Sequence, residues 1–169
     1  MALQITVNAG PEHVDAAAQI WAETTAARDG AEDVAPLESA RPLIRTVLDS
    51  SPRSVLLVAD DDGRTIGFAA MEPWGRAHED QAIAEVRYVG VSPGAWGEGV
   101  GRRLMAAVPD VLAQAGYEQA VLMVYTDNTR AVRLYEGLGW RVQGTPVPHP
   151  RSGRLEQLYV LDVSGGDAR

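Results

Sequence analysis

Tyr88-Val89-Gly90-Val91-Ser92-Pro93-Gly94-Ala95-Trp96-Gly97-Glu98-Gly99-Val100-Gly101-Arg102-Arg103-Leu104 runs from an apolar, strand-like segment through a proline and a run of alternate glycines into a helical pattern. It reads as a strand, a tight turn and a helix N-terminus with no polar loop between them. A helix start exposes backbone N–H groups and carries the positive end of the macrodipole, and glycines let an anion approach that backbone closely. The stretch therefore predicts a phosphate cradle or, failing that, a glycine-rich turn with no ligand.

Spacing tests two nucleotide templates. A Walker loop ends in Gly-Lys-Ser/Thr, whereas Gly101 is followed by Arg102-Arg103, so that template fails. The dinucleotide fingerprint needs G-x-G-x-x-G in a first strand–helix unit. Here the spacing is G-x-G-x-G, and it follows a hairpin pattern.

Upstream, Val55 to Ala59 is a buried strand joined through Asp60-Asp61-Asp62-Gly63 to the strand Thr65 to Met71, an antiparallel hairpin. A polar loop from Pro73 to Gln81 leads to the strand Ile83 to Val91. The N-terminal part predicts the strand Leu3 to Val7, then a helix opened by Gly10-Pro11 with Val14, Ala17, Ala18 and Trp21 on one face. After a polar stretch from Arg28 to Pro36, a second helix carries Leu37, Ala40, Ile44, Val47 and Leu48, contains Pro42 and stops at Ser51-Pro52.

Downstream of the turn, Val100, Leu104, Val108, Val111, Leu112 and Ala115 form an apolar stripe, about 120° wide on a 3.6-residue period. Pro109 lies toward its outer edge, where water can serve the Met105 carbonyl, so a bend and not a break is expected. Gly116 stops the helix. Val121 to Tyr125 is a further strand, and Thr126-Asp127-Asn128 supplies cap residues for a short helix lined by Ala131, Leu134, Tyr135 and Leu138 and ended by Gly137 and Gly139. Trp140 to Val142 and Leu158 to Val163 close the chain as strands joined by a proline-rich loop, Thr145 to Arg154. This order predicts a three-layer α/β arrangement around a mixed, mostly antiparallel twisted sheet.

At 169 residues the chain is long enough for one domain with its own core, expected over 1–163 with a disordered tail at 164–169. The absence of cysteine excludes a disulfide framework, a thiolate zinc site and a cysteine nucleophile, and fits a reducing cytoplasm. No segment approaches the roughly 18 consecutive apolar residues of a membrane span. A formal net charge of -8 repels nucleic acid and anionic membranes, leaving small or cationic partners. A soluble, cytoplasmic protein is expected.

Ala84-Glu85-Val86-Arg87-Tyr88-Val89-Gly90-Val91-Ser92-Pro93, Gly97-Glu98-Gly99-Val100-Gly101-Arg102, and Asn128-Thr129-Arg130-Ala131-Val132-Arg133-Leu134-Tyr135-Glu136-Gly137-Leu138-Gly139-Trp140 together resemble the GNAT superfamily of acyl-CoA-dependent N-acyltransferases. The resemblance is dense from about Val55 to Val142 and thin over the N-terminal helices and the C-terminal hairpin, where that family builds its acceptor sites. It implies acetyl transfer from acetyl-CoA directly to a primary amine of a small molecule or a protein, with no covalent enzyme intermediate and no metal. The other reading it leaves open is a non-catalytic acyl-CoA-binding regulatory module. Dimerisation is common in the superfamily, so a homodimer is also compatible.

The resemblance places the CoA diphosphate on the backbone amides of Gly97, Glu98, Gly99, Val100, Gly101 and Arg102. The pantetheine arm would pair along Val89, Gly90 and Val91. Trp96 stands where the family usually has Arg or Gln. Arg102 and Arg103 add charge near the phosphates or are solvated helix-start arginines. Asn128 is an N-cap on local logic alone and, by resemblance, also touches the CoA arm.

Tyr135 shares a face with Ala131 and Leu138, so its ring is expected to point inward; in the family this position is the tyrosine beside the CoA sulfur, and it reads as the general acid or as an ordinary core tyrosine. Glu85 resembles the strand glutamate that activates the amine, often through water, and apolar neighbours would raise its affinity for a proton. It could instead pair with Arg87. His78, Glu79 and Asp80 are reserves for the base, while His13 and His149 read as surface residues. Ribosomal-protein N-terminal acetylases of the superfamily carry a glutamate five residues upstream of the cap asparagine. This chain has Met123 there, which argues against that subgroup.

Overall fold

Asp62 and Gly63 both adopt positive φ, at 49° and 83°, making the two-residue hairpin turn whose twist matches that of its strands. It joins β2 (Val55–Asp61) to β3 (Arg64–Pro73). A computed structural model describes residues 2–75 and 82–164; the reserve residues His78, Glu79 and Asp80, and the tail beyond 164, lie outside the described residues. In chain order the remaining elements are β1 (Leu3–Val7), α1 (Pro11–Asp29), α2 (Leu37–Asp49), β4 (Ile83–Val91), α3 (Val100–Gln114), β5 (Gln119–Tyr125), α4 (Thr129–Gly137), β6 (Arg141–Pro148) and β7 (Leu155–Asp162). The seven strands form one sheet ordered β1-β2-β3-β4-β5-β7-β6. Of its pairings, β4 with β5 is parallel, while β1–β2, β2–β3, β5–β7 and β6–β7 are antiparallel. Among the described residues, four α-helices and a mixed, mostly antiparallel sheet match the α/β class read from the pattern.

The chain divides into two compact units, Met1–Glu72 with Val86–Val108 and Pro73–Glu85 with Pro109–Arg169. In the first, Val14, Ala17, Ala18 and Ile20 of α1 and Ala40, Ile44 and Val47 of α2 pack with Leu56, Val58, Phe68 and Ala70. Strand alternation puts these four sheet residues on one face. On the other face Gly67 meets α3, since a Cβ there would lie 3.2 Å from Val100 Cγ1. Gly90 is required by close packing, because its Cβ would fall 2.8 Å from Phe68 Cε1 and 3.1 Å from Ile20 Cγ2. Pro11 opens α1 at its first turn and Gly30, with φ of 66°, closes it, as fixed φ and left-handed freedom respectively dictate.

In the second unit, β5 pairs along β7 with Leu122 opposite Tyr159, and β6 adds Val142 opposite Tyr159. The Tyr159 hydroxyl donates to Glu136 of α4 at 2.9 Å, tying that helix to the sheet. Three expectations need correction. β6 continues to Pro148 and β7 starts at Leu155, where a loop from Thr145 to Arg154 was expected. Pro146 and Pro148 are tolerated because β6 is an edge strand whose register with β7 shifts between Gln143 and Val147, the two settings in which a missing N–H costs little. His13 is only 16% exposed in its side chain and lies 3.8 Å from Asp60. His149 is likewise half-buried, its Nδ1 accepting the backbone N–H groups of Arg151 and Ser152. Pro109, by contrast, sits within helix α3 without breaking it.

Candidate active site

Strand β4 brings the chain to the glycine turn with its backbone already oriented. The Ser92 N–H donates to the Ile66 carbonyl of β3 at 2.8 Å. A trans peptide points its N–H and C=O in opposite directions, so the Val91 carbonyl faces the edge of β4 that β3 does not occupy. The alternation of an antiparallel ladder gives Val89 the same outlook. β4 pairs with β5 over Ile83–Glu85 of its nine residues.

Beyond β4 a single 3₁₀ turn, Pro93–Ala95, redirects the chain. Gly97 and Gly99 follow with φ of 83° and 80°, and nothing lies within 4 Å of where a Cβ on either would stand. The first helical hydrogen bond of α3 runs from Arg103 N–H to the Gly99 carbonyl at 3.1 Å. The N–H groups of Val100, Gly101 and Arg102 therefore have no acceptor inside the helix, while buried Val100 (1% exposed) fixes the first turn against the sheet. The result is an open turn rich in backbone donors, the arrangement at which helix N-termini bind anions. Arg103 is committed elsewhere, donating to the Leu3 carbonyl at 3.1 Å. Arg102 is exposed.

Trp96 folds back from the turn. Its Nε1–H donates to the Val91 carbonyl at 2.7 Å, and the residue stays 44% exposed. Nothing in local sequence pattern signals this contact.

The other expected site residues, Glu85, Asn128 and Tyr135, belong to the second unit. Asn128 caps α4, its Oδ1 accepting from Ala131 N–H at 3.2 Å. Tyr135 is 9% exposed, the one buried side chain of α4, while Ala131, Leu134 and Leu138 are half-buried. Its ring lies 6.2 Å from that of Trp140 at an interplanar angle of 57°. Burial pushes the phenol up to about 12, because the charged form would lose its hydration. Trp140 is 2% exposed and, among the described residues, its indole nitrogen has no hydrogen-bond partner. Glu85 is half-buried in β4, in register with Val121 of β5.

A cleft of about 550 Å³ in the first unit has Ser92–Ala95 and Glu98 as one wall, with Glu23, Asp61 and Arg64 around it. Three carboxylates against one guanidinium favour a cationic over an anionic entrant.

The model of the acetyltransferase (GNAT) family matches residues 15–140, a span that contains β4, the glycine turn and α4. The chain belongs to the GNAT acetyltransferase family. Among its relatives, the mycothiol acetyltransferase of Clavibacter sepedonicus is 38% identical over 101 residues, which cover 60% of this chain and 31% of that protein. The chain thus spans between a quarter and a third of the length of the curated relatives it matches. A GCN5-related N-acetyltransferase from Kribbella flavida superposes with a TM-score of 0.74 at 30% identity, covering 95% of this chain and 98% of that one. The fold is shared, at 19% identity, with yncA of Salmonella typhimurium, solved with its cofactor acetyl-CoA (TM-score 0.74, covering 99% of this chain and 98% of that one).

The GNAT donor, acetyl-CoA, fits the residues present. The space above Gly97 and Gly99 is open, as a bound diphosphate requires, and the outward edge of β4 carries the N–H and C=O of Val89 and the N–H of Val91, the Val91 carbonyl being taken by Trp96. Among the described residues, no helix is long and apolar enough to cross a membrane.

Proposed function

We propose that this chain transfers an acetyl group from acetyl-CoA directly to a primary amine in a ternary complex. The observation that carries the proposal is the glycine turn, a donor-rich cradle placed at the end of a strand whose outer edge is directed away from β3. In this reading the amides of Gly97 to Arg102 hold the diphosphate, and Val89, Gly90 and Val91 pair with the pantetheine arm. Asn128 contacts that arm while capping α4. The bound donor supplies an activated thioester.

Tyr135 donates to the departing thiolate sulfur. Burial pushes the phenol up to about 12, which favours its neutral, donating form. It therefore acts as a neutral hydrogen-bond donor that stays protonated through the step, and solvent supplies the proton. Glu85 takes the proton of the attacking amine, directly or through water, from its half-buried position on β4. The acceptor is an amine.

Thiol release measured across a panel of amines tests the reaction. Turnover with at least one amine is expected, and a protein that binds acetyl-CoA yet turns over none would favour the regulatory-module reading. Calorimetry with CoA, acetyl-CoA and NAD separates ligand classes. Binding to NAD with none to CoA overturns both readings.

A further inference from the structure

Gly94, Gly97 and Gly99 all stand in open space, with nothing within 4 Å of a Cβ position. A run so rich in glycine and so little packed loses much conformational freedom when a ligand orders it. Something must hold the start of the turn in place for the amides to converge cheaply. Three contacts in the first unit do this: Ala95 N–H to the Ser92 carbonyl at 2.8 Å, Trp96 N–H to the Pro93 carbonyl at 3.2 Å, and the Trp96 indole to the Val91 carbonyl at 2.7 Å. The first two are backbone bonds that any residue supplies. The third depends on the side chain.

We propose that Trp96 is a positioning residue for the diphosphate turn, its indole N–H latching residue 96 to the last carbonyl of β4 so that the amides from Gly97 onward are pre-set for the donor. The inference rests on the proposed use of this turn for acetyl-CoA. The ring closed by the latch spans Val91 to Trp96 around the 3₁₀ turn, so the chain reaches Gly97 in one direction only. The indole is rigid and reaches the last carbonyl of β4.

Trp96→Phe keeps a flat ring and removes the donor. The expected result is a rise in the dissociation constant for CoA and in KM for acetyl-CoA of roughly 2- to 12-fold, the range for one lost hydrogen bond. With saturating acetyl-CoA, kcat and the KM for the amine stay unchanged. Trp96→Gln, which retains an N–H donor, recovers part of the loss. Acetyl-pantetheine, which lacks the diphosphate, serves equally well with wild type and Trp96→Phe. If Trp96→Phe binds CoA as wild type does, the latch has no positioning role. Tighter use of acetyl-pantetheine by the variant would also overturn it, showing that the indole competes with the arm for the Val91 carbonyl. A wild-type protein with no affinity for CoA fails the proposed function itself, and calorimetry on wild type distinguishes that outcome first.

Discussion

Replacing Tyr135 by Phe removes one oxygen from a buried side chain and separates two consequences of its burial. The first is catalytic. If the phenol donates a hydrogen bond to a developing thiolate, its loss costs about 1.5–3 kcal/mol, the range for a hydrogen bond to a charged group, or roughly 10- to 150-fold in kcat. The second concerns stability. The phenol titrates at about 12 in the folded chain against 10.0 ordinarily, and burial is the cause. The folded state thus retains the proton over a range where the unfolded state releases it. Stability from this group is complete below pH 10 and is lost as pH rises toward 12, by about 2–3 kcal/mol in all. Tyr135→Phe lacks that slope. Urea unfolding of both proteins between pH 9 and 12 reads the difference, and thiol release at saturating acetyl-CoA reads the rate. Parallel stability curves would show that the ring is not buried in solution as described, and full turnover by the variant would remove the tyrosine from the chemistry.

Other changes address other links. Gly90→Ala forces a Cβ to within 2.8 Å of Phe68 Cε1, and since Phe68 is fully buried it should cost about 1–3 kcal/mol in urea unfolding. Asn128→Ala removes the cap of α4 and should cost about 0.5–2 kcal/mol; an accompanying rise in KM for acetyl-CoA, absent for an equally destabilised core variant, would support its contact with the donor. Tyr159→Phe breaks the bond to Glu136 and should lower stability by about 1 kcal/mol while leaving KM for acetyl-CoA unchanged. For Glu85→Gln, the acidic limb of kcat/KM for the amine should disappear; an unchanged limb would move the base elsewhere.

What was legible in the sequence was what local chemistry decides. Asp62-Gly63 forms its hairpin because few other pairs accept two positive φ angles, Asn128 caps because its side chain reaches its own helix, and the stripe from Val100 to Leu112 names the buried face of α3. Met105 joins that face at 1% exposure although the stripe omitted it, so the buried arc of α3 is wider than the apolar stripe. The prolines of β6 suggested a loop because the strand's place at the sheet edge is a tertiary fact. His13 read as a surface residue because Asp60, which approaches it, is distant in sequence. In the site, the glycine turn was readable as a motif, but the link from Trp96 to Val91 joins residues whose types carry no mutual preference. Only the folded path brings them together.

The edge strand β6 has a consequence for life at high concentration. Every residue of β6 is exposed, with Val142 and Val147 about half so, and an unpaired row of peptide groups beside apolar side chains is a template onto which a stray chain can crystallise. Pro146 and Pro148 have no N–H to give such a template, and the register shift beside them breaks its spacing. The residues that hid this strand from a reading of the sequence are thus the ones that guard the molecule against runaway polymerisation through that edge.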